Sequence, residues 1–323
     1  MFSDEPVHSP VLPEEVVALL GGSGDAKDLE GWIVDATLGA GGHSALLLER
    51  FPRVRILGTD QDPEILELAA KRLEPFGERV RLECCRITEL SRFMRKHRCE
   101  RPIGWLMDMG VSSLQLDRPS RGFSFQADGP LDMRMDPTRE RTAADIVNTW
   151  DEADLADLFF HEGGERRSRS IAAELVRQRR RVPFRRTGAL AQIVEGVVGG
   201  GGGKTHPATR VFQALRRAVN EEGEELVQGL EAAETWLAER GVLAVISFHS
   251  GEDRVVKRFF ASGADRQRWS LLTPGPVKPS RDEVRGNPRS RSACLRAGLR
   301  LIGPEGLGQK GFVADSGAAE SEA

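Results

Sequence analysis

The residues whose types and spacing suggest chemistry begin with a glycine-rich segment that lies between two aspartates. Residues 35–43 read Asp-Ala-Thr-Leu-Gly-Ala-Gly-Gly-His, and Asp60 ends the next apolar run. At the carboxyl edge of a doubly wound sheet, glycines let the backbone approach a ligand, and an acid after the second strand binds both ribose hydroxyls. A tight turn would explain the glycines alone, but Asp60 favours a site for an adenosine-type cofactor.

Ser44 and Asp35 discriminate between two cofactors of that type. The dinucleotide fingerprint G-x-G-x-x-G requires a glycine at position 44, where this chain has serine. Asp35 would repel a pyrophosphate, whereas it suits the cationic amino group of S-adenosylmethionine, which has no phosphate. The pattern therefore favours the methyl donor.

A second acidic motif follows the fourth apolar run. Residues 108–115 read Asp-Met-Gly-Val-Ser-Ser-Leu-Gln. Methyl transfer from a sulfonium requires in-line placement of the nucleophile, and a hydrogen-bond acceptor can orient an amino group and take its proton. We predict that Asp108 is catalytic in this way; a strand-end aspartate that caps a turn is the alternative.

Other patterns for chemistry are weaker. Gly203, Lys204 and Thr205 imitate the end of a P-loop, but the required glycine is Val198 and no predicted strand leads into it, which favours a flexible connection. None of the four cysteines follows a proline, which disfavours cytosine C5 methylation through a thiolate. The cysteines form no C-x-x-C pair, so no metal site is expected.

The elements that must position these residues follow from hydrophobic periodicity. Short apolar runs alternate with helical stripes, which is typical of βαβ units around a parallel sheet. Strands are predicted at 32–35, 54–60, 80–82, 103–108 and 242–248, with weaker extended segments at 269–272 and 294–301. Helices are predicted at 43–50, 63–73, 208–220 and 222–239, and helical signals cover 143–198. Asp62 can cap the second helix, and Thr142 with Asp145 forms a capping box.

The domain organisation predicted is one sheet domain interrupted by a helical insertion. The 323 residues are about twice a typical domain length of roughly 150. Residues 112–140 show no period and are expected to form a long ordered loop. We predict an α/β fold with its first part in 1–115, an all-helical insertion in 116–215, its second part in 216–303, and a disordered tail in 304–323.

The charge of the chain is segregated rather than uniform. Its 46 basic and 49 acidic residues give a net charge of -3, which argues against bulk electrostatic coating of nucleic acid. However, residues 166–186 hold nine arginines and one acid, and residues 278–300 hold seven basic residues and two acids. Such faces, with Phe184 nearby, suit RNA phosphates and splayed bases. We predict RNA contact there; solvated helix faces are the alternative.

The expected compartment is the cytoplasm. The longest clean apolar run, residues 242–246, is far shorter than the roughly 20 residues that a membrane-spanning helix needs. The first 13 residues contain two acids and three prolines where a signal peptide would have a basic start and an apolar stretch. The cysteines are therefore expected to be free thiols, and no membrane partner is expected.

From residue 8 to residue 300, the chain closely resembles the bacterial 16S ribosomal RNA cytosine N4-methyltransferases, the RsmH/MraW family. The motifs that carry the resemblance are 35–44, 60–63 (Asp-Gln-Asp-Pro), 108–117, 121–125 (Arg-Gly-Phe-Ser-Phe), 128–136 (Asp-Gly-Pro-Leu-Asp-Met-Arg-Met-Asp), 206–216 (His-Pro-Ala-Thr-Arg-Val-Phe-Gln-Ala-Leu-Arg), 247–250 (Ser-Phe-His-Ser) and 287–292 (Asn-Pro-Arg-Ser-Arg-Ser). The resemblance implies a class I, Rossmann-like methyltransferase sheet with an inserted helical domain for RNA recognition. It also implies S-adenosylmethionine as donor and the N4 amino group of a decoding-region cytidine as acceptor.

Site residues and partners are implied by the same resemblance. The cofactor contacts would fall on Gly41, Gly42, His43, Asp60, Ile87, Asp108 and Gln115. Ile87 stands where the family commonly has phenylalanine, and Gly251 stands where it usually has leucine. The partner would be 16S ribosomal RNA within the small subunit, and a homodimer is left open.

Several alternatives remain at this point. The chain could methylate DNA or a small amine, or it could be an RNA-binding assembly factor with a vestigial cofactor pocket. His249 is equally explained as a substrate-facing residue and as a loop histidine, and His8 equally as a packing residue and as a ligand.

Overall fold

The computed structural model describes residues 10–22, 28–96, 98–199 and 206–302. His8, the Gly203-Lys204-Thr205 segment and the predicted tail at 304–323 lie outside the described residues. By the density of internal contacts, the chain forms two compact units. The first unit comprises residues 1–60, 64–110 and 224–323, and the second comprises 61–63 and 111–223.

Seven strands of the described residues form one sheet in the first unit. The strands are β1 (Glu30–Asp35), β2 (Arg53–Asp60), β3 (Val80–Cys84), β4 (Gly104–Asp108), β5 (Val242–Ser247), β6 (Trp269–Leu271) and β7 (Cys294–Arg300). Their order is β3-β2-β1-β4-β5-β7-β6, and β7 runs antiparallel to both of its neighbours, β5 and β6. Each predicted strand is confirmed, including the two weaker segments, and the α/β fold class with it.

The helices, in chain order, are α1 (Pro13–Gly21), α2 (Gly42–Arg50), α3 (Pro63–Leu73), α4 (Ile87–Lys96), α5 (Ser113–Asp117), α6 (Ala143–Thr149), α7 (Glu152–His161), α8 (Ser168–Arg179), α9 (Thr187–Val198), α10 (Thr209–Asn220), α11 (Glu222–Trp236), α12 (Ser250–Asp265) and α13 (Arg281–Gly286). The capping box of Thr142 and Asp145 is confirmed at the start of α6. The sequence analysis missed α1, α4, α12 and α13. It also missed α5 inside the aperiodic loop, where Ser112 and Gln115 form a second capping box.

The sheet of the first unit has an apolar core on each face because successive side chains of a strand point in opposite directions. In β5, Val242, Ala244 and Ile246 belong to one core cluster, and Leu243 and Val245 belong to the other. A strand buried on both faces reads as a continuous apolar run, which is why β5 was evident in the sequence.

The second unit has a hydrophobic core of its own, built from the loop after α5 and from helices α6 to α10. It begins at position 111 and ends at 223, whereas the sequence predicted an insertion at 116–215. Val111 packs against this core. At the other end, the buried Asn220 binds the backbone of Met133 and Met135, each at 2.8 Å. These contacts extend the unit beyond the predicted limits.

Candidate active site

The centre of the candidate site is the carboxyl end of the adjacent parallel strands β1 and β4. The strand order reverses direction between these two strands, and ligands of doubly wound sheets bind at such a switch point. Asp35 is the last residue of β1, and Asp108 is the last residue of β4. The hydroxyl of Thr37 accepts the backbone N–H of Asp108 at 2.5 Å, which ties the two strand ends together.

Asp35 is buried, with 1% of its surface exposed. Its Oδ2 accepts a hydrogen bond from the Ser44 hydroxyl at 2.7 Å, while its Oδ1 has no partner within the described residues. Burial raises the pKa of Asp35 to about 6, against the opposing effect of the Ser44 hydrogen bond. Ser44, which stands where the dinucleotide fingerprint requires a glycine, is therefore the residue that donates a hydrogen bond to Asp35.

Asp108 is the most perturbed acid of the site. Its pKa is raised to about 8, mainly by burial and to a smaller extent by the negative charges of Asp35 and Glu252. Its Oδ1 is inaccessible to solvent and has no partner in the described part of the chain. Its Oδ2 lies 3.8 Å from Nδ1 of His43. A carboxyl group held in this way is available to a ligand that brings positive charge or a hydrogen-bond donor.

His43, in the first turn of α2, is also buried. Its Nε2 lies 2.7 Å from the carbonyl oxygen of Val11. Burial lowers the pKa of His43 to about 4, so the ring is neutral at physiological pH. The sequence analysis placed His43 at a cofactor site but did not foresee its position beside Asp108.

The glycine turn connects β1 to α2 and brings Asp60 into the same region. Gly39 and Gly41 have φ values of 53° and 75°, a conformation that residues with a Cβ rarely adopt. The N–H of Gly39 donates to Oδ2 of Asp60 at 2.9 Å. The predicted residues Gly41, Gly42, His43, Asp60 and Asp108 therefore all lie in the first unit, around the ends of β1, β2 and β4.

Ile87 lies just after β3, as predicted, at the first position of α4. Only 7% of it is exposed. Its side chain belongs to the core cluster of Met107, and a Cβ added at Gly229 would lie 2.8 Å from its Cγ2. Ile87 thus has a packing role, and its contact with a cofactor stays a prediction.

Gln115 belongs to the second unit, and its side chain is engaged there. Its Nε2 donates to Oδ2 of Asp62 at 2.9 Å, and its Oε1 accepts the N–H of Ser112 at 3.0 Å. Asp62 also binds Arg121, at 2.7 Å. The sequence pattern predicts only a helix cap at Asp62 and does not indicate this cluster. Contact of Gln115 with a cofactor stays a prediction.

Two residues, His249 and Cys294, lie near the end of β5. His249 caps α12, because its Nδ1 accepts the N–H groups of Gly251 and Glu252 at 3.1 and 3.2 Å. Cys294 begins β7 and pairs in register with Ser247, the last residue of β5. Its sulfur lies 2.5 Å from Nζ of Lys278.

The described parts of the chain contain neither a candidate metal-binding cluster nor a candidate membrane-spanning helix. Among residues 10–22, 28–96, 98–199 and 206–302, no cluster of three or more histidine, cysteine or acidic side chains could hold a metal. Over the same ranges, no helix has the length and apolar character that crossing a bilayer requires.

The donor set of the site fits a cationic adenosine cofactor. Among the residues that the structure describes, neither Asp35 nor Asp108 has a partner for one of its buried oxygens. Burying such an oxygen costs free energy unless a ligand satisfies it. S-adenosylmethionine carries an ammonium and a sulfonium group, both of which suit this acidic pair, and Asp60 suits its ribose. A pyrophosphate at the same place would meet two acids.

Comparison with known proteins agrees with this chemistry. The family model described as "MraW methylase family" matches residues 5–300. A protein of Methylobacterium sp. (strain 4-46) named "Ribosomal RNA small subunit methyltransferase H" is 46% identical over 315 residues, which cover 92% of each chain. A protein of Synechococcus elongatus with the same name is 46% identical over 297 residues, which cover 91% of this chain and 95% of that protein.

Proposed function

Because the chain belongs to the MraW methylase family, we propose that it transfers a methyl group from S-adenosylmethionine to the exocyclic N4 of a cytidine in 16S ribosomal RNA. The observation that carries the proposal is the pair Asp35 and Asp108 at the switch point of the sheet, each with a buried oxygen that has no partner in the described part of the chain. The acceptor cytidine is proposed to lie in the decoding region, as in the family that the sequence resembles.

The cofactor is proposed to lie across the glycine turn. Gly41 and Gly42 allow the backbone to approach it, Asp60 binds the ribose hydroxyls, and Asp35 binds the ammonium group. His43, Ile87 and Gln115 complete the proposed set of contacts. When bound, S-adenosylmethionine supplies an electrophilic methyl group on a sulfonium.

Asp108 is proposed to accept the proton that N4 loses as it is methylated. The amino group of cytosine is a weak nucleophile, so orientation by a hydrogen-bond acceptor and removal of a proton both assist the transfer. The raised pKa of Asp108, about 8, makes it a stronger base than an exposed aspartate. A cation bound beside it lowers that pKa and so favours the ionised form that acts as base.

Methylation at carbon C5 is not supported by the cysteines. That reaction requires a thiolate, and burial raises the pKa of Cys85 to about 12, which keeps it protonated. Cys294 follows Ala293 rather than a proline and lies at the start of β7. Nitrogen methylation therefore remains the better match to the site.

The arginine-rich segment, residues 166–186, is proposed to bind RNA phosphates. Four of its nine guanidinium groups are occupied within the protein, those of Arg167, Arg177, Arg179 and Arg186. The other five are exposed and make no hydrogen bond or ion pair in the part of the chain that the structure describes: Arg166, Arg169, Arg180, Arg181 and Arg185. Exposed guanidinium groups of this kind provide sequence-independent affinity for a phosphate backbone.

The second basic segment, residues 278–300, contributes less to the proposed RNA surface. Arg296 is paired with Asp253, Arg285 is paired with Asp282, and Arg300 is buried, with 1% of its surface exposed. Arg281 and Arg291 are exposed at this segment. We therefore propose that residues 166–186 make the larger contribution to RNA affinity.

The finer parts of the proposal concern the assembly. We propose that the substrate is 16S ribosomal RNA within the small subunit, that the enzyme works in the cytoplasm, and that it can form a homodimer. The first point can be tested with isolated subunits and naked RNA, and the last by light scattering of the purified protein.

The decisive experiment is incubation of the protein with labelled S-adenosylmethionine and, separately, small subunits, naked 16S RNA and DNA. Label in RNA that is recovered as N4-methylcytidine is expected. Cys294→Ser should retain activity, and Asp108→Asn should lose it. Label in DNA alone would overturn the substrate, and no binding of S-adenosylmethionine in calorimetry would favour a vestigial pocket.

A further inference from the structure

His43 occupies a position between a backbone carbonyl and the proposed base. One ring nitrogen, Nε2, lies 2.7 Å from the carbonyl oxygen of Val11, and the other, Nδ1, lies 3.8 Å from Oδ2 of Asp108. A cofactor-binding role that uses only the backbone at this turn would not require this side chain. The geometry therefore raises the question of what the imidazole does.

The Val11 carbonyl determines which nitrogen carries the proton. A carbonyl oxygen can only accept a hydrogen bond, so Nε2 of His43 must be the protonated nitrogen of the neutral ring. The lone pair of Nδ1 then points toward Asp108. A protonated Asp108 can donate to this lone pair, whereas an ionised Asp108 faces it with a like partial charge.

We propose that His43 is a positioning residue for methyl transfer, whose Nδ1 accepts a hydrogen bond from Oδ2 of Asp108 once that oxygen has taken the proton of the acceptor amine. This inference rests on the proposed function. The 3.8 Å separation becomes a hydrogen bond if the two groups approach by about 1 Å. Oδ1 of Asp108 is inaccessible to solvent, whereas the side chain as a whole is 23% exposed, so Oδ2 is the oxygen that can meet the substrate.

The proton and electron balance of the step follows from this assignment. The N4 lone pair forms the bond to the methyl carbon, and the carbon–sulfur bond breaks with its electron pair going to sulfur. The N4 proton goes to Oδ2 of the Asp108 carboxylate. The acid that results donates to Nδ1 of His43, while Nε2 keeps its own proton on the Val11 carbonyl.

The other charged groups around Asp108 act in the same direction. Asp35 from β1 and Glu252 from α12 are both negative when ionised, and both favour a protonated Asp108. His43 differs from them because it is neutral and offers a directional acceptor. Replacing it therefore separates a hydrogen-bond effect from a general charge effect.

The orientation of His43 depends on a fixed segment before α1. Leu12 has a φ of 52°, which is unusual for a residue with a branched side chain, and it is fully buried. Its N–H donates to Oε1 of Glu283 in α13 at 2.8 Å. This clamp holds the neighbouring Val11 carbonyl, which in turn holds the imidazole.

Two variants of His43 separate its two contacts. His43→Gln places an amide nitrogen near the position of Nε2 and so keeps a donor for Val11, but it removes the acceptor beside Asp108. His43→Asn places its amide near the position of Nδ1 and loses the bond to Val11. The first should affect the chemistry, and the second should mainly affect stability.

For His43→Gln, we expect kcat to fall about tenfold and the rising limb of kcat against pH to move about one unit lower. The Tm should stay close to that of the wild type. For His43→Asn, we expect the wild-type pH limb with a lower Tm. A His43→Gln enzyme with an unchanged pH limb would overturn the inference.

A second readout does not depend on activity. Carbon-13 NMR of the Asp108 carboxyl in the cofactor-free protein should show its pKa about one unit lower in His43→Gln than in the wild type. Equal titration curves would contradict the inference even if the enzyme methylates RNA. Failure of the proposed function would look different, because the wild-type protein itself would then transfer no methyl group to RNA.

Discussion

The acids at the strand ends of the first unit differ from the buried acids of the second unit. Within the residues that the structure describes, Asp35 and Asp108 each have one oxygen without a partner, and burial raises the pKa of both. In the second unit, the buried Asp62 binds Arg121 at 2.7 Å and Gln115 at 2.9 Å. The first unit also pairs its buried glutamates away from the strand ends with arginines. The oxygens without a partner therefore characterise the strand ends and not the sheet unit as a whole.

A second buried acid of the helical unit shows the same commitment. Glu222 receives both Nε and Nη2 of Arg216, at 2.7 and 2.8 Å. Such bidentate pairs fix geometry and compensate the cost of burying a carboxylate. The difference shows that burial of an acid does not by itself indicate function. A buried carboxyl oxygen that lacks a partner does, because its burial costs free energy that a bound ligand can recover.

The largest expected effect is on catalysis by Asp108→Asn. The substitution keeps the size and burial of the side chain but removes the base, and we expect kcat/KM to fall about 10³-fold. Methyl transfer to small subunits or 16S RNA measures it, with Cys294→Ser as the matched control. Full activity of Asp108→Asn would show that methyl transfer does not need the Asp108 carboxylate as its base.

The next largest effect is on stability and concerns the cluster that Asp62 forms with Arg121 and Gln115. Asp62→Asn leaves the guanidinium of Arg121, 13% exposed, without its carboxylate, and we expect a loss of about 3 kcal/mol of unfolding free energy. Urea denaturation measures it. Asp282→Asn is the control, because its pair with Arg285 is exposed and should contribute less than about 0.5 kcal/mol. Equal losses for both variants would remove the distinction between buried and exposed pairs.

A smaller effect is the pH dependence of stability. The unfolded chain releases the carboxyl protons near pH 4, whereas folded Asp35 and Asp108 keep them until about pH 6 and about pH 8. Between these values the folded state binds more protons, so the unfolding free energy falls as pH rises.

Asp108→Asn tests this sign because it removes the larger contribution. Without cofactor, the variant should be more stable than the wild type at pH 8, with little difference at pH 4. Thermal unfolding across this pH range measures it. A wild-type protein that gains stability between pH 4 and pH 8 relative to the variant would contradict the assigned shift.

The smallest expected effects concern the exposed arginines. Replacing Arg180, Arg181 and Arg185 by glutamine should lower RNA affinity about threefold for each residue and reduce the salt slope of binding by about two in total. Filter binding at several salt concentrations measures both. Arg177→Gln, whose guanidinium is bound to Glu174, should leave the slope nearly unchanged. A triple variant with the wild-type slope would place the phosphates elsewhere.

The sequence was sufficient for the strands and the acids at their ends, because buried strands read as apolar runs and Asp35 and Asp108 directly follow them. It was insufficient for α4, although Ile87, Leu90 and Met94 have helical spacing and are buried in the structure. One glutamate and one arginine lie between these apolar residues, and an arginine and a lysine follow them. These charges gave the segment a low mean hydropathy, which masked the period.

The contacts of His43 and Asp62 could not be predicted from local pattern. His43 and Asp108 are 65 positions apart, and their proximity depends on the parallel pairing of β1 with β4. Asp62 lies at a position that suits a helix cap, and nothing near it in sequence indicates Arg121 or Gln115. Tertiary pairing decides both contacts, so a single sequence contains no local signal for them.

The insertion between β4 and β5 has a consequence for how the chain folds. β4 and β5 pair in register although their residues are about 140 positions apart, whereas β1 and β2 pair over about 20. Non-local strand pairing is slow, and an unpaired strand edge favours aggregation. During synthesis, β4 is complete long before β5 exists, so we expect the growing chain to carry an open sheet edge beside Asp108 until the helical unit has been made.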